Sequence, residues 1–175
     1  MKKSNFVILF IVLGFLGVNA QQNVFKINPL GLVLGAAELS FERALSNKGS
    51  VELSLAYSRS DVGFSTGEEK ATGYGVEGKY KFYLSASKDA PRGLYVAPVV
   101  TYASSNVERG ILEGKVSYVA GGGILGYQWV FGSDSGFSID LNGGAQYVSA
   151  SFSGDILSAD DGVVPRLGVG FGYAW

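Results

Sequence analysis

From Val164 to Trp175 the sequence alternates between large and small residues. Leu167, Val169, Phe171, Tyr173 and Trp175 fall on one face, and Arg166, Gly168, Gly170, Gly172 and Ala174 on the other. A period of two makes a β-strand, because successive side chains point to opposite faces of a sheet. These faces need different surroundings. One wants apolar contact, and the other a tight space that tolerates close neighbours and a charge. In a soluble domain such a strand would leave apolar area and a sticky edge in water. A strand closing a barrel within a bilayer has a paired edge and turns its bulky face to acyl chains.

The same period recurs upstream. Ala37, Leu39 and Phe41 oppose Glu38, Ser40 and Glu42, and Val51, Leu53, Leu55 and Tyr57 oppose Glu52, Ser54, Ala56 and Ser58. Tyr74, Val76, Tyr80, Phe82 and Leu84 oppose Gly75, Glu77, Lys79 and Lys81, and Phe137, Ile139, Leu141, Ala145 and Tyr147 oppose Ser138, Asp140, Asn142 and Gln146. Leu94 to Ala103 is apolar on both faces, so the pattern gives it no orientation, and Lys115 to Val130 is a glycine-broken strand. Val24 to Leu34 is a first extended stretch, interrupted at Asn28-Pro29-Leu30-Gly31. Taken as one strand turning near Leu30–Gly35, it brings the count to eight. Short polar turns at 46–49, 85–92 and 131–136 alternate with longer loops at Asp61–Ala71, Ser104–Gly114 and Ser151–Val163. Tight turns at one end and longer loops at the other, with strands of about 9–12 residues, fit tilted membrane crossings. The expectation is an all-β protein, an eight-stranded antiparallel up-and-down transmembrane β-barrel.

Residues 1–20 read as a cleaved secretory signal peptide. Lys2 and Lys3 precede an apolar run from Phe6 to Val18, and Val18-Asn19-Ala20 offers short side chains for cleavage after Ala20. The run is short for a spanning helix, which needs ~20 residues. Residues 21–175 then form one barrel domain, with 12 basic against 15 acidic side chains. That acidic balance argues against a nucleic-acid partner, which would want a basic stripe. The chain has no cysteine, which excludes a lipoprotein anchor and any disulfide framework. No later stretch is apolar for ~20 residues, which excludes helical spans.

Alternation alone does not say which face is inside; a lipocalin-like barrel with a greasy cavity has the same period. Three features favour an ionic interior. The polar faces are rich in glycine and alanine, which suits a barrel whose lumen only just accommodates side chains. Tyrosines recur near strand ends at Tyr57, Tyr74, Tyr102, Tyr118, Tyr147 and Tyr173, as in interfacial girdles. The charges also nearly balance: Glu38, Glu42, Glu52, Glu77 and Asp140 against Lys26, Lys79, Lys81, Lys115 and Arg166. Unpaired buried charges cost several kcal/mol each, so a paired network is expected to fill the lumen. The stripe of Leu167, Val169, Phe171, Tyr173 and Trp175 is expected to face lipid.

The eight alternating segments and the terminal Leu-Val-Phe-Tyr-Trp stripe resemble the small outer-membrane β-barrels, the class of OmpX and the OmpA membrane domain. Lys26-Ile27-Asn28-Pro29-Leu30-Gly31 with Leu39-Ser40-Phe41-Glu42-Arg43 is similar to short outer-membrane barrels of the Bacteroidota. The resemblance implies an outer-membrane location in a Gram-negative cell envelope, outer-membrane lipid as surroundings, and the barrel-assembly machinery as a partner during biogenesis. The short first strand departs from the better-known members.

Chemistry is mostly excluded. With no histidine and no cysteine, there is no imidazole-assisted nucleophile and no thiolate, and zinc, copper and haem lose their usual ligands. Gly121-Gly122-Gly123-Ile124-Leu125-Gly126 matches a dinucleotide fingerprint, but a strand-like Tyr127-Gln128-Trp129-Val130-Phe131 follows where a helix is required. Glycines that ease curvature in a crowded wall explain it better. Asp155, Asp160 and Asp161 lack calcium-loop spacing and read as a solvated acidic loop. No metal, cofactor or catalytic residue is expected. Phe64, Ile111, Leu112, Ile156 and Leu157 are apolar among polar loop residues and are candidate contacts for an external partner, or they fold onto the rim. The expectation is a non-enzymatic barrel with a plugged interior and a structural or adhesive role. A narrow pore and a soluble periplasmic lipid-binding barrel are the alternatives.

Overall fold

The computed structural model describes residues 23–33, 35–64, 67–109, 112–132, 135–154 and 161–175. The expected signal peptide lies outside them, as do Ile111, Ile156, Leu157 and the side chains of Phe64 and Leu112. Strands β1 (Asn23–Ile27), β2 (Ala36–Ser46), β3 (Gly49–Phe64), β4 (Gly67–Tyr83), β5 (Gly93–Arg109), β6 (Leu112–Val130), β7 (Gly136–Gly154) and β8 (Gly162–Ala174) follow in order, with a short helix, α1 (Pro29–Val33), after β1. Each strand pairs with the next, and β8 returns to β1, closing an eight-stranded antiparallel barrel. Reciprocal backbone bonds between Asn23 and Trp175, both 3.0 Å, fasten that seam.

The first stretch is indeed a single strand, but it ends earlier than its sequence pattern. Asn28 accepts hydrogen bonds from the backbone of Leu30 and Gly31 on its Oδ1 and so caps α1, with Pro29 at the first helical position. Gly35, at φ +79°, turns the chain into β2.

The loops expected at Asp61–Ala71 and Ser104–Gly114 are mostly strand. Pairing of β3 with β4 continues to Phe64↔Gly67, and of β5 with β6 to Arg109↔Leu112. β7 likewise runs to Gly154, inside the third expected loop. Large apolar and polar residues no longer alternate strictly there, so the hydrophobic period fades while the ladder persists. Strands β3 to β7 thus reach 16 to 19 residues, beyond the 9–12 expected.

The barrel is inside out relative to a soluble domain. Outward side chains include Leu53, Leu55, Tyr57, Tyr74, Val100, Val119, Leu125 and Leu167, the last 83% exposed. Buried positions include Lys26, Glu42, Glu52, Glu77, Lys79, Lys81 and Asp140. β5, silent in the pattern, points Tyr95, Ala97, Val99 and Thr101 inward and Leu94, Val96, Val100 and Tyr102 outward.

Candidate functional site

The lumen is organised around two ammonium groups. Lys26 on β1 and Lys81 on β4 each approach the same four oxygens: Glu42 Oε2, Glu52 Oε2, Asp140 Oδ2 and Gln128 Oε1. Lys26 Nζ lies 2.8 Å from Glu42, 2.9 Å from Asp140 and 3.0 Å from Gln128, and it also donates to Glu52. Lys81 Nζ lies 2.9 Å from Glu42, 2.6 Å from Asp140, 3.0 Å from Gln128 and 2.7 Å from Glu52.

The remaining carboxylate oxygens are also satisfied. Glu42 Oε1 accepts from Tyr83 at 2.6 Å and Ser50 at 2.5 Å, Asp140 Oδ1 from Tyr95 at 2.7 Å, and Glu52 Oε1 from Lys79 at 2.7 Å. Lys79 then reaches Glu77 at 2.9 Å. Arg166 grips Glu77 with both terminal nitrogens, and Thr101 donates to it at 2.8 Å. Four carboxylates face four cations in one connected network. Completeness matters here, since a buried ion left without its partner costs about 3–5 kcal/mol.

Local sequence makes this packing feasible. A Cβ on Gly172 would collide with the backbone of Phe25 and with Lys26, and one on Gly170 would touch the Lys26 side chain. The glycines of β8 therefore leave room for the lysine stem. Gly126 does the same for the Tyr95 ring, which lies 4.4 Å from Lys81 Nζ as a cation–π partner.

The network sits toward the end of the barrel that holds Asn23 and Trp175. Beyond it, toward the end that carries the β3–β4 and β5–β6 hairpins (the hairpin end), lies a cavity of about 530 Å³ with Glu52 and Lys79 in its floor and Ser58, Gly73, Ser105 and Val116 in its upper wall. Across one rung of the wall the register reads Glu38, Ala56, Gly75, Ala103, Tyr118. Three very small residues between a carboxylate and a phenol are what leave this part of the lumen open.

Of the residues expected to form the charge network, Lys26, Glu42, Glu52, Glu77, Lys79, Lys81, Asp140 and Arg166 meet in it. Lys115 does not. The inward positions of β6 include Val116, Tyr118, Ala120, Ile124, Gly126 and Gln128, so Lys115 has outward parity and is exposed near the hairpin end. Glu38 lines the cavity but joins no ion pair among the described residues; its partner is the Asn28 amide at 2.8 Å. Tyr118, expected in a girdle, lines the cavity instead, whereas Tyr57, Tyr74, Tyr102, Tyr147 and Tyr173 face outward. Leu167, Val169, Phe171 and Tyr173 share the outward face of β8, Trp175 follows it with the same parity, and Ala174 between them is fully buried.

Tyr83, Tyr95, Gln128 and Ser50 were not anticipated. Tyr83 continues the inward set Glu77, Lys79, Lys81, so parity could have found it. Tyr95 lies in a strand apolar on both faces and gave no signal.

Carboxylate oxygens of Glu42, Glu52 and Asp140 lie within 4.8 Å of one another, a spacing that could hold a metal ion. The Lys26 and Lys81 ammonium groups occupy that position. Asp161 serves the β7–β8 connection, accepting from Ala150 N at 3.0 Å and Ser149 Oγ at 2.8 Å. Ser50 reaches a carboxylate, but Ser50 and Glu42 are fully buried, leaving no path for a substrate.

Among solved structures, the chain is similar to the crystal structure of CarO from Acinetobacter baumannii, with 14% identity and a TM-score of 0.44, over 89% of this chain and 98% of that one. No curated protein matches it. A family model described as "Protein of unknown function (DUF3575)" matches residues 6–153. The chain therefore belongs to the DUF3575 family.

Proposed function

We propose that this protein is an outer-membrane β-barrel of the small OmpX-like kind, exported by a cleaved signal peptide. Its ionic lumen acts as a plug, and its hairpin end serves a structural or adhesive role. The observation that carries this reading is the inversion of polarity: a neutral ion-pair network inside and a continuous apolar belt outside. The outward run from Tyr74 to Leu84 spans about 25 Å of barrel height at ~3.3 Å per residue and a tilt of ~40°. That matches the lipid-facing band of outer-membrane barrels. Aromatic residues fringe both ends of the belt. Tyr57 and Tyr74 are direct partners toward the hairpins, and Phe137 stacks on Phe131 and Phe171 toward the termini. Amphipathic rings favour such interfacial levels.

A soluble lipid carrier needs the opposite arrangement, with a greasy lumen and a wet exterior. No lumenal group joins a nucleophile to a base within reach of a substrate among the described residues, which supports a non-enzymatic role. A narrow pore would require the network to part, at several kcal/mol for each separated ion.

Cell fractionation with heat-modifiable gel migration tests the location. The protein is expected in the outer-membrane fraction, running differently before and after boiling. Recovery from the periplasm as a detergent-free soluble species contradicts the reading. Planar-bilayer recording tests the plug, with no resolvable channel steps expected; regular steps favour the pore.

A further inference from the structure

We propose that the lumenal cavity is a binding site for a small hydroxylated organic ammonium ion, of which an amino sugar is the fitting class, with Glu38 as its counter-charge. Its volume of about 530 Å³ falls within the ~300–1,000 Å³ usual for ligand sites.

The charges of the lining select the sign. Lys26, Lys79 and Arg166 are each committed to carboxylates, so an anion entering the cavity meets no open cation. Glu38 has only the Asn28 amide and, among the described residues, no cationic partner. Glu38 is half-buried in the cavity wall with no cation beside it among the described residues, so its negative charge is open to a ligand ammonium.

Shape and polarity select the rest. Across the rung from Glu38, Tyr118 offers an aromatic wall, and Ala56, Gly75 and Ala103 leave the width between them. Ala56, Ala103 and Val116 give apolar surface for the C–H face of a sugar ring. The Ser40–Ser54 hydroxyl pair and Gln146 provide hydrogen-bonding groups for its hydroxyls. The inference goes beyond the membrane reading and stands without it, because the lumen is the same in a detergent-refolded barrel.

Titration calorimetry of the refolded barrel with glucosamine, N-acetylglucosamine and glucuronate tests it. Saturable glucosamine binding is expected, with the neutral N-acetyl form weaker by about tenfold or more and glucuronate not binding. E38Q keeps the amide contact in outline. It should weaken glucosamine by about tenfold and remove its advantage over the N-acetyl form. A103L fills the cavity away from the ion pairs and should abolish binding of both sugars. Heat-modifiable migration checks that both variants fold. Should E38Q fail that check, the ligand series on the unaltered barrel and A103L still decide. Absence of saturable glucosamine binding, equal affinity for the neutral sugar, or binding that survives A103L overturns the proposal. Soluble periplasmic behaviour of the unaltered chain would count against the membrane reading alone.

Discussion

Lys26 and Lys81 hold their ammonium groups against a shared set of oxygens, so neither can be lost without stranding carboxylates that have no water to turn to. Lys81→Met leaves Glu42, Glu52 and Asp140 short of one cation, at an expected cost of about 3–5 kcal/mol. Tyr83→Phe removes one donor from Glu42 Oε1 while Ser50 remains, and about 1.5 kcal/mol is expected. Urea unfolding of the refolded protein in detergent measures both. A Lys81→Met barrel as stable as the unaltered one would mean that the network does not hold the lumen together. Much of this was legible in sequence wherever a strand had one polar and one apolar face: Glu52, Glu77, Lys79, Lys81 and Asp140 all fell on the polar side. Lys115 misled because polarity alone was read as inwardness. Near the β3–β4 and β5–β6 hairpins polar residues occur on both faces, so a charge there carries no information about facing.

Among the elements, β8 shows how glycine periodicity encodes closure. Its inward glycines admit the Lys26 stem, and Gly172 also lets β1 approach closely enough to pair. Gly172→Val is expected to block the β1–β8 seam and to remove the compact, heat-modifiable species on gels. Gly121→Val, outward with no atom within 4 Å of an added Cβ, is expected to fold normally. Equal behaviour of the two variants would contradict the assigned facing of these strands. The hairpins teach a different lesson. The hydrophobic period reports an asymmetric environment, not the ladder itself, so strands that rise beyond the apolar belt look like loops in sequence. Val107 and Gly114 are register partners inside an expected loop. Hydrogen exchange should therefore find backbone amides around Ser105–Val107 protected well beyond those of a free loop, and exchange at loop rates would place the strand ends nearer the belt.

For the molecule as a whole, strand order and closure followed from alternation and turn spacing, since a chain of antiparallel hairpins with one bulky apolar face has few ways to bury that face and pair its edges. The cavity was not legible, because it arises from Ala56, Gly75 and Ala103 coming into register across separate strands. The account depends on which face meets lipid, and spin-label accessibility in lipid vesicles tests that most directly. The chain has no cysteine, so one introduced at a time carries a single label. Labels at Leu53, Val119 and Leu167 are expected to collide freely with oxygen dissolved in the acyl layer and to be shielded from a water-soluble nickel chelate, while a label at Ser54 is shielded from that layer. Outer positions open to the nickel chelate, with Ser54 the one in contact with acyl chains, would contradict the account.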